Sequence, residues 1–293
     1  MCDRLLAFGL KNSPPAMAPS GSPSASRLNI GDAIHDGWTA FCRAPWSFVL
    51  FALLLTALQI LVQPLQDGIL RGGALSTVPA DWLLFLIGLS ASLAVSFWGT
   101  VGMVGGAWQA LAGARPTLGS MLRWDGPGFN RVFQAWLALG AVLSVPLLAI
   151  VAVLALTALV LWLIERSGFQ LTDSNLLLPA LLLGLLVLVL LGLLLVAVLY
   201  FGVNQQFLAQ VALLERGAPM ESVKRGRSLV DPQWILLLLL LLIKATLLVV
   251  GLVTFGVGLM VAWPVVSCIS TAAYRQLVHK DSPDRPLNPT PPY

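Results

Sequence analysis

One ionisable residue interrupts the longest uncharged runs of this chain: Lys244, within WILLLLLLLIKATLLVV. It lies ten residues after Trp234, about 15 Å along a helix at 1.5 Å per residue. If that run crosses a bilayer, the ammonium sits near its middle. A lysine there costs about 2.5–3.5 kcal/mol on insertion scales, and the chemistry it offers is capture of an anionic substrate or relay of a proton. No acidic residue lies inside an apolar run to pair with it; Asp67, Asp81, Glu165 and Asp173 all fall near run ends. The simpler reading is structural. The ammonium snorkels, or bonds a carbonyl or glutamine of a neighbouring helix, while the flanking leucines offset its cost.

The other reactive residues form no constellation. A zinc site needs three or four His, Cys or carboxylate ligands at close spacing, and His35 and His279 are the only histidines. Asp32, His35 and Asp36 read as the solvated face of a helix. Cys2, Cys42 and Cys268 are scattered toward one side of the expected membrane, a reducing side, so no disulfide is expected. There is no phosphate loop or dinucleotide fingerprint, no nucleophile elbow, and no paired carboxylate within the apolar runs. The expectation is a protein that is not an enzyme, with no cofactor, no metal and no catalytic residue. Gln59, Gln63, Gln109, Gln134, Gln205, Gln206 and Gln210 lie within or at the ends of the runs. They either bond between helices or line a polar vestibule.

The elements that must position these residues are apolar. The chain has 293 residues, 58% hydrophobic and 10% charged, where soluble domains carry about 25% charged residues. Apolar runs occupy residues 46–65, 82–109, 132–164, 176–208, 234–254 and 259–274. A helix crosses a bilayer with about 20 such residues; the longer runs tilt or project, and the last is slightly short. Lipid offers the backbone no partners, so helix is the expected form.

Charge supports six crossings. Arg4, Lys11, Arg27 and Arg43 precede the first run, and Arg115, Arg123 and Arg131 follow the second. Arg216, Lys224, Arg225 and Arg227 follow the fourth, and Arg275, Lys280 and Arg285 the sixth. Only Arg71 and Arg166 fall in the other set of loops, and a miscount of one run would mix the two groups. Basic residues stay on the cytoplasmic face. The expectation is a multi-pass plasma (inner) membrane protein with both termini cytoplasmic. The pI of about 9.3 then reflects topology charges beside anionic lipid, and no nucleic acid partner is expected.

Each odd-numbered run follows a short amphipathic stretch. In 29–43, Ala33, Ile34, Gly37, Trp38 and Phe41 share one helical face, Asn29 resembles an N-cap, and Pro45 ends the helix. The second stretch, 117–124, stops at Gly126-Pro127-Gly128; the third, 219–230, stops at Asp231-Pro232. The fold class predicted is an all-α integral membrane domain of six transmembrane helices. These form three hairpins, each preceded by an interfacial helix lying apolar face down in the headgroup layer. The membrane domain spans 28–277, in units 28–112, 113–217 and 218–277, between disordered tails 1–27 and 278–293. MCDRLLAFGLK is too short in its apolar core for a signal peptide, and Met17 is a candidate start. Trp38, Trp46, Trp124, Trp136 and Trp234 fit an aromatic belt. Gly102 and Gly106 suit close helix packing. Pro146 and Pro264 free the carbonyls of Val142 and Met260 and kink their helices.

Three stretches carry a family resemblance: DGWTAFCRAPW, then ALAGARPTLGSML, then ERGAPMESVKRGRSLVDPQW running into VVGLVTFGVGLMVAWPVVSCISTAAYRQL. From Leu28 to about Leu277 the chain resembles a broad group of uncharacterised bacterial polytopic membrane proteins. It is similar also to the membrane domain attached to some glycerophosphodiester phosphodiesterases. The segment from Gly256 through Pro264 to Tyr274 is the most specific part. The resemblance implies a fold and a membrane. It implies no activity, because the phosphodiesterase site belongs to a separate soluble domain.

Two functional expectations lead, with an intramembrane lipid enzyme ranked last for want of acid/base residues. One is a non-enzymatic scaffold in a larger membrane assembly, with the lipid bilayer, a membrane protein or a second copy as partner. The other is a transporter or permease subunit built around Lys244.

Overall fold

In the computed structural model, residues 28–67, 78–166, 177–215, 217–254 and 258–281 are described. The expected N-terminal tail and residues 282–293 lie outside that set. Among the described residues every regular element is helical and none is a strand. In chain order the helices are α1 (Ile30–Arg43), α2 (Pro45–Asp67), α3 (Pro79–Leu111), α4 (Leu118–Leu122) and α5 (Gly126–Arg166). Then follow α6 (Leu177–Asn204), α7 (Leu208–Leu214), α8 (Pro219–Val230), α9 (Trp234–Val253) and α10 (Leu259–Asp281). A short helix followed by two long ones occurs as α1–α3, α4–α6 and α8–α10, with one further short helix, α7, before the third set.

Five stretches are long and apolar enough to cross a membrane: Pro45–Asp67, Pro79–Leu111, Gly126–Val160, Gly184–Leu214 and Pro219–Val253. The chain is therefore a multi-pass, membrane-embedded helical protein. Helix α10 is less apolar for a physical reason. Val265, Cys268, Ile269, Ala272, Ala273, Tyr274 and Leu277 are buried, so neighbouring helices rather than lipid cover much of it. A helix shielded by protein can carry Ser267, Ser270 and Thr271, and Thr271 bonds its hydroxyl to the Ser267 carbonyl at 2.9 Å.

The chain forms two compact units, one built from residues up to Phe129 and from Leu238 onward, the other from Asn130 to Leu237. In the first, α2 and α3 run antiparallel. Phe51 meets Gly102, Leu55 meets Gly99, and Gln66 donates to the Gly88 carbonyl at 3.0 Å. Between them Gln59 donates to Ser96 Oγ at 2.9 Å and to the Ser92 carbonyl at 3.1 Å, and Ser92 donates back to it at 2.7 Å. Gln59 thus bonds between helices. Helices α9 and α10 are also antiparallel, with Gly251 against Gly258 and Ala262.

Helix α1 starts as its sequence requires, with the Asn29 side chain accepting from the Asp32 N–H at 3.3 Å. Its neighbour is not what amphipathicity alone implies. Ala33, Gly37, Ala40 and Phe41 are buried, and a Cβ on Gly37 would sit 2.6 Å from Ile269 Cα. The face assigned to lipid meets α10, because an apolar stripe looks the same whether lipid or protein covers it.

Two breaks also differ in detail. Gly126-Pro127-Gly128 opens α5 instead of ending the stretch before it. Proline suits a first helical turn, where its missing N–H has no partner to lose. Asp231-Pro232-Gln233 forms a 3-10 turn that leads from α8 into α9. Helices α5 and α10 continue across Pro146 and Pro264.

The second unit is mostly apolar surface. Leu181, Leu188, Leu193 and Val196 on α6 are exposed, as are Val145, Leu148 and Leu156 on α5. Side chains this apolar suit a lipid environment on most sides of the helix.

Candidate functional site

The buried lysine comes first. Lys244 on α9 and Ser270 on α10 are 6% and 7% exposed, and Lys244 Nζ donates to Ser270 Oγ at 3.2 Å. Antiparallel packing of the two helices brings them together across 26 positions of sequence. The pair has the nucleophile-to-base contact of a serine–lysine dyad. What the geometry does directly is fasten α9 to α10 by a charge-assisted bond. A hydroxyl partner such as Ser270 is not among those the sequence suggests for Lys244.

Two arginines that sequence reading counts only as topology charges have specific partners. Helix α3 ends in a Schellman turn. Gly113 sits at φ 94, its N–H bonds the Ala110 carbonyl at 3.1 Å, and the Ala114 N–H bonds the Gln109 carbonyl at 3.0 Å. Arg43, at the end of α1, donates to the Ala110 carbonyl as well. Arg275 of α10 donates to the Leu111 carbonyl at 2.6 Å. The negative end of α3 is thus held by two guanidinium groups from two other helices.

Beside that helix end is a cleft of about 360 Å³. Its floor is Gly102, Gly105 and Gly106 of α3 with Met121 of α4; its rim carries Gln109, Ser120, Arg123, Trp124 and Asp125. Glycine is required at two floor positions. A Cβ on Gly102 would lie 2.5 Å from the Phe51 ring and 2.6 Å from the Met121 carbonyl, and one on Gly106 would lie 2.9 Å from the Met121 methyl. Helix α4 is fixed by a reciprocal cap, Ser120 N–H to Thr117 Oγ1 and Thr117 N–H to Ser120 Oγ, both 3.2 Å. Trp124 stacks tilted on Phe129 with ring centres 5.1 Å apart. Oδ2 of Asp125 is buried without a hydrogen-bond partner.

The second unit holds a different feature. Between α6 and α7 the helix gives way to a turn over Gln205–Phe207. Asn204 is 1% exposed, and both its side-chain polar atoms are buried without partners. The Oε1 atoms of Gln205 and Gln210, and Nε and Nη2 of Arg131, are also buried and unpartnered. Sequence inspection finds the glutamines but misses Asn204, whose only signal is its place in NQQ at the end of a leucine-rich run.

No family model matches the chain, and no curated protein and no solved structure matches it. Among the described residues no group of three or more His, Cys, Asp or Glu could hold a metal ion. His35 Nδ1 lies 3.8 Å from Asp36 Oδ1 on an exposed face. Among the described residues Cys42 and Cys268 are not disulfide-bonded. Of the belt tryptophans, Trp38, Trp46, Trp124 and Trp136 are exposed, and Trp234 is half-buried.

Proposed function

We propose that the protein is a six-span inner-membrane scaffold, with both termini cytoplasmic, that takes its place in a larger membrane assembly without catalysing a reaction. The observation that carries this reading is the fate of Lys244. The one charge set deep in an apolar run is buried against Ser270, where it joins two helices. The sixth crossing is α10, whose apolar part, residues 259–274, reaches about 24 Å at 1.5 Å per residue and whose buried face accounts for its modest hydropathy. The recurring order of one short and two long helices supports an internal triplication. The resemblance to polytopic bacterial membrane proteins fits the same reading. Native purification tests it. The scaffold should run with a partner membrane protein or as a homo-oligomer, and a lone monomer under gentle detergent would count against it.

A second reading, a transporter or permease subunit, is favoured by one observation. The broken α6–α7 helix buries Asn204, Gln205 and Gln210 with polar atoms unpartnered. Irregular backbone at membrane depth is tolerated where protein or a water-filled cavity surrounds it, and discontinuous helices build transporter sites. Asn204→Ala and Gln210→Ala, assayed for uptake across a solute panel, separate the readings. Lost uptake of one solute selects transport, and unchanged uptake leaves the scaffold.

A further inference from the structure

We infer that the cleft between α3 and α4 binds the headgroup of a zwitterionic phospholipid carrying a primary ammonium, a phosphoethanolamine lipid. The inference is independent of whether the protein is a scaffold or a transporter.

The first support is depth. The cleft opens at the C-terminal end of α3, in the stretch of chain that carries Arg115 and Arg123. There Trp124 stands exposed in the position of a headgroup-level aromatic. The second is the division of the cleft into an apolar floor and a polar rim. The floor, where Gly102, Gly105 and Gly106 lie beside Met121 and Val101, carries no polar side chain, a surface that suits the glycerol and upper acyl carbons. The rim above offers hydrogen-bonding groups: the Gln109 amide, 3.5 Å from Ser120 Oγ, and the exposed Arg123 guanidinium.

The third support decides the class of headgroup. Arg123 and Asp125 both line the cleft. A purely anionic headgroup would satisfy the guanidinium and be repelled by the carboxylate. A headgroup with phosphate and ammonium matches both. The phosphate takes Arg123 in charge-assisted hydrogen bonds, and the ammonium gives its N–H to Asp125. Asp125 lines the cleft, and its Oδ2 has no donor within the protein, so the carboxylate keeps acceptor capacity for that N–H. A quaternary ammonium has no N–H to give, so a choline headgroup leaves that oxygen as it is. The Trp124 ring adds a face on which a cation can rest.

The test is native mass spectrometry of the full chain. It is extracted from nanodiscs of equal parts phosphatidylethanolamine, phosphatidylglycerol and phosphatidylcholine. Wild type should retain phosphatidylethanolamine above the other two. Asp125→Asn should lose that preference, and Arg123→Gln should lower retention about tenfold, the loss of one charge-assisted bond. Arg123 is exposed, so its variant keeps the fold, as a thermal melt will verify. Equal retention of all three lipids by wild type overturns the inference, as does unchanged preference in both variants. Displacement of the lipid by soluble phosphoethanolamine at equal concentration would assign the site to a free metabolite and overturn it too.

Discussion

Lys244 is a costly residue that the scaffold reading makes a structural one. Its ammonium keeps a hydroxyl partner inside the helix pair, so its removal tests geometry more than charge. Lys244→Met retains the aliphatic stem and should melt within a few degrees of wild type in detergent, because a well-packed apolar substitute for a buried charge is often neutral. Lys244→Ala opens a cavity and should melt measurably lower. A transporter centred on Lys244 gives the opposite contrast, with both variants inactive at whatever stability. Arg275 offers a second test. Its bond to the Leu111 carbonyl should be worth about 1.5–3 kcal/mol as a hydrogen bond to a charged group, so Arg275→Ala should unfold earlier in a chemical-denaturation series. The anomaly of Lys244 is legible in the sequence, because a lone charge among leucines needs no structure to be noticed. Its partner is not, because the register between α9 and α10 decides that Ser270 meets it. Arg43 and Arg275 are legible only as charges, since a bond to a helix-end carbonyl leaves no sequence pattern.

At the scale of helices, close approach is set by glycine. A Cβ on Gly37 would lie 2.6 Å from Ile269 Cα and 2.7 Å from its backbone nitrogen, and backbone has nowhere to yield. Gly37→Ala should therefore separate α1 from α10 and destabilise by about 1–3 kcal/mol, the usual range for overpacking. Gly192 on α6 has nothing within 4 Å, so Gly192→Ala should be neutral or slightly stabilising through helix propensity alone. Thermal denaturation of the two variants side by side checks both statements. Helix positions are well marked in the sequence because hydropathy is a local property. The expected run 234–254 corresponds to α9 at Trp234–Val253, and 46–65 to α2 at Pro45–Asp67. The covering of each face is not marked. The stripe on α1 is apolar whether it meets lipid or Ile269, and Gly126-Pro127-Gly128 reads as a stop although proline equally well opens a helix.

For the whole molecule, hydropathy and charge lead to different counts, and the difference has a cause. Five stretches stand out by apolarity alone, while the sorting of arginine and lysine requires an even number of crossings. On the six-span proposal α10 reconciles them, since the protein that covers it relieves it of the need to be uniformly apolar. The central claim is this sixth crossing. A dual reporter of fluorescent protein and alkaline phosphatase, fused in turn after Asp67, Asp173 and Asp281, measures it directly. Six crossings predict phosphatase activity without fluorescence at Asp67 and Asp173, and fluorescence without phosphatase activity at Asp281. Phosphatase activity at Asp281 would mean that α10 does not cross, and a cytoplasmic signal at either of the other two sites would contradict the threading itself.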